Sequence, residues 1–110
     1  MNWEQKKEID TLLELDGQKD LMRRSSILGQ QAGAVQKALN YMVLGQQKTS
    51  AELKDFTYEK AMLKDALSDY FIQGAVVAQL FDIDVDELLA IGVNRLAEFK
   101  KTNFAGLQLG

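Results

Sequence analysis

The chain has no cysteine, no histidine and no proline in 110 residues. Each absence removes something definite. Without cysteine there is no disulfide, no thiol nucleophile and no thiolate-bound metal. Without histidine there is no imidazole base, no histidine-dependent triad and no zinc site of the usual kind. A metal would have to be a hard cation held by oxygen, such as magnesium or manganese. Proline is missing, glycine-rich turns are few and no segment sustains a period-two alternation, so a sheet protein is not expected. No apolar run has the length of a membrane span, and the opening "MNWEQKKEID" does not read as a signal peptide. With the missing thiols, these features predict a cytoplasmic protein.

Basic charge is also short. Thirteen Lys and Arg face sixteen Asp and Glu, for a net charge of −3. The basic residues are scattered apart from Lys6-Lys7, Arg23-Arg24 and Lys100-Lys101. Affinity for a phosphate backbone needs them clustered, and no basic recognition helix is present, so nucleic acid is not an expected partner. No segment joins a basic face to a large apolar one, so a membrane surface is not expected either.

What is present is an ordinary soluble balance, 46% hydrophobic and 26% charged, which predicts one folded domain over residues 1–110. The apolar residues fall at helical spacing, and the expected architecture is all-α, a four-helix bundle. A first helix over about 2–15 carries Trp3, Ile9, Leu12 and Leu13 on one stripe and stops at Asp16-Gly17. A second starts with Asp20 as its N-cap, presents Leu21, Leu28, Val35, Leu39 and Met42, and is expected to stop at Gly45. A connector follows, in which Thr49 and Glu52 have capping-box spacing. The third helix is expected over 57–81, with "YFIQGAVVAQLF" as its most buried part. The fourth opens at Asp84, with Glu87 three residues on and Ile83 and Leu88 placed as a hydrophobic staple, and runs to about Lys101. Residues 1–19 read as an N-terminal helix, 20–101 as the core and 102–110 as a loose tail unless a partner covers Phe104 and Leu107.

From "LGQQAGAVQKAL" through "LKDALSDYFIQGAVVAQLFDIDVDELLAIGVNRLAEFKK" the chain resembles the MazG-like family of all-α nucleoside triphosphate pyrophosphohydrolases. "DALSDYF" is similar to that family's "EELGDVL"-type motif, and "FDIDVDELL" to its "GIDLEE"-type turn. "LGQQAGAVQKAL" has the shape of "LVEEAGELAEAL", with Ala32, Gly33 and Leu39 at matching places. The resemblance covers roughly residues 20–101. It implies a homo-oligomer, a dimer or tetramer. It also implies a magnesium site built from a Glu-x-x-Glu pair on one helix and a Glu-x-x-Asp pair on the next. Acids three or four apart share a helix face, so two facing helices can present four of them to one or two ions.

The chain departs from the pattern at those positions. The first pair is replaced by Gln31 and Ala34, with Gln30 beside them, and the second reads Ala66 and Asp69. From Leu21 through Ala51 there is no Asp or Glu at all, so no shift of register restores an acid to the second helix. Asp69 remains, with Asp65 one turn away as a second metal candidate, although acids four apart also describe an ordinary solvated helix face. The second helix then reads either as a former catalytic helix that has lost its acids or as a packing helix throughout.

Three functions follow. The first is a MazG-like protein without efficient hydrolase activity and with no cofactor, acting as an assembly module or as a nucleotide or anion binder through Gln30, Gln31, Arg23 and Arg24. The second is an active magnesium-dependent pyrophosphohydrolase with a rebuilt site at Asp65 and Asp69. The third is a plain oligomeric interaction protein.

Overall fold

The computed structural model describes residues 1–49 and 56–104. All of the regular structure in them is helical: α1 Trp3–Leu13, α2 Leu21–Thr49, α3 Thr57–Leu80 and α4 Val85–Asn103. No helix among the described residues is long and apolar enough to cross a membrane.

Local hydrogen bonds set most of the helix boundaries. Asn2 caps α1 in a full capping box: its Oδ1 accepts from the Gln5 amide, and Gln5 Oε1 accepts from the Asn2 amide, both at 2.9 Å. After α1, Gly17 takes φ +77°, the left-handed conformation expected of it. Asp20 caps α2 as expected, its Oδ1 accepting from the Arg23 amide at 2.9 Å. Asp84 caps α4, accepting from the Asp86 amide at 3.2 Å. Among the described residues no Glu87 side-chain bond completes a box there.

The expected stop at Gly45 is corrected: α2 runs through it to Thr49. Glycine ends a helix by turning left-handed. Here the next residues, Gln46, Gln47 and Lys48, are good helix formers, so Gly45 sits inside the helix at a cost of about 1 kcal/mol. The Thr49–Glu52 capping pair extends outside the described residues, as does Leu107 of the expected tail. Phe104, at the end of α4, meets Phe99 edge to face with ring centroids 6.0 Å apart.

The turn between α3 and α4 is a Schellman motif. Ile83 N–H donates to the Ala78 carbonyl at 2.8 Å and Asp82 N–H to the Gln79 carbonyl at 3.1 Å. Asp82 stands at φ +57°, where glycine is the usual occupant. A Cβ is disfavoured in that conformation and a branched one more so. Asp82→Val is therefore expected to lower stability by about 1–2 kcal/mol, while Asp82→Gly is neutral or slightly stabilising. Chemical denaturation of the two variants checks the opposite signs.

α2 and α3 form an antiparallel hairpin. The connector joins them at one end, and at the other Arg24 reaches across to Gln73. Ala38 and Met42 of α2 and Phe56, Ala66 and Ala78 beside or within α3 are buried. α1 lies against α3, where Ile9 and Leu13 pack with Ala75 and Val76. Gln79 Nε2 fastens this contact by donating to the Lys6 carbonyl at 2.8 Å and to Asp10 Oδ1 at 2.6 Å.

Burial departs from the sequence pattern in three places. Trp3, expected on the inner stripe of α1, is 70% exposed and instead has the Lys7 ammonium 5.1 Å from its ring. The segment expected to be most buried divides: Ala75, Val76 and Ala78 go inside, while Phe71 and Phe81 stay out. α4 departs furthest. It joins the core through Val85 at its first turn, and none of its residues is buried. The chain is accordingly long for its size, with a radius of gyration of 17.7 Å against about 13 Å for a compact domain of this length.

Candidate functional site

The hairpin of α2 and α3 carries the polar candidates. Extending the register set by Arg24 and Gln73 brings the turn of α2 holding Gln30 and Gln31 level with the turn of α3 holding Ala66 and Leu67. Gln31 is half-buried there, while Gln30, Asp65 and Asp69 are exposed. No hydrogen bond among the described residues joins these four side chains, and nowhere among those residues do three or more acidic side chains gather as a metal would need.

That donor set does not fit a magnesium centre of the family type. Two exposed carboxylates come from one helix, and the facing helix offers neutral amides and alkyl groups. Magnesium keeps its water unless charged oxygen replaces it in octahedral geometry. A Gln oxygen brings no charge, and Ala34 brings no ligand atom.

The two arginines are placed differently. Arg23 is exposed and borders a shallow open dip with Gly17, Asp20 and Ser26. Arg24 is 4% exposed. Its guanidinium donates to Gln18 Oε1 at 2.9 Å and to Gln73 Oε1 at 3.2 Å, while its Nε has no hydrogen-bond partner. No carboxylate pairs with it among the described residues. Arg24 therefore ties the α1–α2 turn, α2 and α3 together, and its fork is occupied by the protein's own amides.

Two concave surfaces beside the hairpin are apolar, and the sequence pattern did not single them out. One groove of about 380 Å³ runs along the outside of the hairpin between Val35, Leu39, Leu67 and Tyr70. A second, of about 530 Å³, opens between α3 and α4 over Leu28, Gly74, Leu89, Gly92 and Leu96. Phe71 lines both and is 69% exposed, its ring meeting Tyr70 edge to face at 6.5 Å. A signal for the second groove was present in the sequence. Val85, Leu89, Gly92, Leu96 and Phe99 alternate four and three apart, the seam spacing of paired helices. Gly74 and Gly92 face open space: a Cβ built on either meets nothing within 4 Å. Neither glycine is needed for packing within the chain.

The arrangement thus combines a polar hairpin face without a metal-binding donor set and two adjoining apolar grooves that share Phe71. No family model matches the chain, and comparison with curated proteins and with solved structures finds no significant match.

Proposed function

We propose that the chain is a helical assembly module of MazG-like pattern, working by self-association through its apolar helix faces and without efficient pyrophosphohydrolase activity. The carrying observation is the contrast between its surfaces. Where the family chemistry needs acids on two facing helices, α2 offers Gln31 and Ala34 and has no carboxylate from Leu21 to its end. The apolar grooves beside it are wide, and none of α4 is buried. A hydrolase needs charged oxygen to hold magnesium, neutralise the triphosphate and activate water. An assembly module needs exposed apolar area, which this chain has in excess.

Arg24 gives no support to a nucleotide site, because its guanidinium is buried on Gln18 and Gln73. Arg23, Gln30 and Gln31 are the groups left to meet an anion.

The test is magnesium-dependent pyrophosphate release from common and modified nucleoside triphosphates. No turnover above the buffer rate is expected. Turnover that disappears in Asp69→Asn would establish a rebuilt metal site and overturn the proposal.

A further inference from the structure

We infer that the uncovered face of α4 is the interface with a second copy of this chain: the partner's α4 lies antiparallel in the groove between α3 and α4, the two helices crossing at Gly92. This rests on the assembly reading and specifies its geometry.

Area is the first support. The chain exposes 8781 Å². A compact folded monomer of its 12.3 kDa mass exposes about 6,100 Å². The excess is roughly 2,700 Å² for the whole chain, residues 50–55 and 105–110 included. A standard complex takes about 800 Å² from each partner, and obligate dimers from about 1,000 to 2,500 Å² or more. On α4 the surplus is apolar and contiguous, with Leu89, Leu96 and Phe99 at 67%, 59% and 55% exposure. An amphipathic helix of 19 residues holds such a stripe stably only against another apolar surface.

Symmetry is the second support. The seam of Val85, Leu89, Gly92, Leu96 and Phe99 reads nearly the same in either direction about Gly92. In a two-fold antiparallel pair, Leu89 would meet the partner's Leu96, Val85 the partner's Phe99, and Gly92 its own copy. A self-complementary patch is what a two-fold interface requires. Glycine at the crossing lets the axes approach to the near end of the usual 8–10 Å range, and across the groove Gly74 leaves similar room.

Charge fixes the direction. The first turn of α4 holds Asp86 and Glu87, the last Lys100 and Lys101; the Asp86 carboxylate accepts from the Met1 ammonium of its own chain at 2.9 Å and stays 68% exposed, open to a second cation. On the heptad set by the seam, Asp86 and Lys100 occupy equivalent flanking positions. Antiparallel pairing puts each beside the other's copy and opposes the helix dipoles. Parallel pairing would instead put Lys100 beside the partner's Arg95, two like charges.

The absence of cysteine makes the test clean. Gly92→Cys introduces the sole thiol, at a site where an added Cβ meets none of the described residues within 4 Å. Under a mild copper–phenanthroline oxidant at tens of micromolar protein, it is expected to give a covalent dimer reversed by dithiothreitol. Ala97→Cys, next to Leu96 in sequence but about a third of a turn round the helix from the seam, is expected to stay monomeric on a denaturing gel. Disulfides form only at Cα separations of about 4.4–6.8 Å, so selective linkage reports the crossing. Lys100→Glu is expected to weaken association about tenfold, and addition of Asp86→Lys to restore most of it, with Asp86→Lys alone as the control for loss of the exposed ion pair to Met1. Equal cross-linking at positions 92 and 97, or no rescue by the double reversal, overturns this geometry while an oligomeric mass keeps the assembly reading. A wild-type chain that sediments as a monomer at tens of micromolar overturns both.

Discussion

Leu89→Asp is expected to abolish self-association and leave a monomer. Leu89 is 67% exposed within its own chain. If that face met only water, the substitution would fall among surface changes, usually worth within about 0.5 kcal/mol. Against a second copy, each dimer loses two buried leucines, at about 2 kcal/mol each, and gains two carboxylates in an apolar seam. Leucine burial alone amounts to roughly three orders of magnitude in the dissociation constant. Sedimentation would show the mass fall to one chain. The melting temperature, concentration-dependent in a wild-type dimer, would become independent of concentration in the variant. An unchanged mass for Leu89→Asp would place the interface elsewhere.

Arg24→Ala carries the second large effect, this time on folding. Arg24 is buried, and its two amide acceptors lie on separate elements, Gln18 in the α1–α2 turn and Gln73 in α3. Truncation removes both bonds and leaves a cavity where the side chain packed. Hydrogen bonds to a charged donor are worth about 1.5–3 kcal/mol each, and the Nε without a partner offsets part of that. A loss of about 3 kcal/mol is expected, near 15 °C in melting temperature for a domain of this size. Arg24→Met should cost clearly less. It fills most of the space and removes a charge that is desolvated without an opposite partner, while half-buried Gln18 and Gln73 can turn to water. Thermal melts of the two variants give the order; an alanine variant as stable as wild type would show that Arg24 does not tie the hairpin to α1.

What the sequence made legible was local. Asp20 and Asp84 were readable as caps because a cap concerns one side chain and the amides of the next turn. Gly17 was readable as a left-handed residue for the same reason. Asp82 was missed because it holds a position that glycine usually marks. Gly45 misled because its neighbours, rather than glycine itself, decide whether a helix continues. Burial was less legible, since it depends on which neighbour arrives. Trp3 has the spacing of a core residue and none of the burial. Arg24 looked like half of a surface pair with Arg23, and only the α3 side of the hairpin shows why it lies inside.

The same division holds for the candidate site. The missing carboxylates of α2 could be read directly, because no fold can supply a side chain that the sequence lacks. The groove between α3 and α4 could not, because its walls come from both helices and depend on how the two are set by the turn between them. The alternating seam of α4 was visible, but as one more bundle helix. Its significance lies in a seam that, beyond Val85, none of the described residues buries.

Sedimentation equilibrium of the wild-type chain at tens of micromolar tests this most directly. A mass of two 12.3 kDa chains, or a multiple of that pair, is expected. A single-chain mass across the whole concentration range would contradict it, because no second copy would then cover the apolar face of α4.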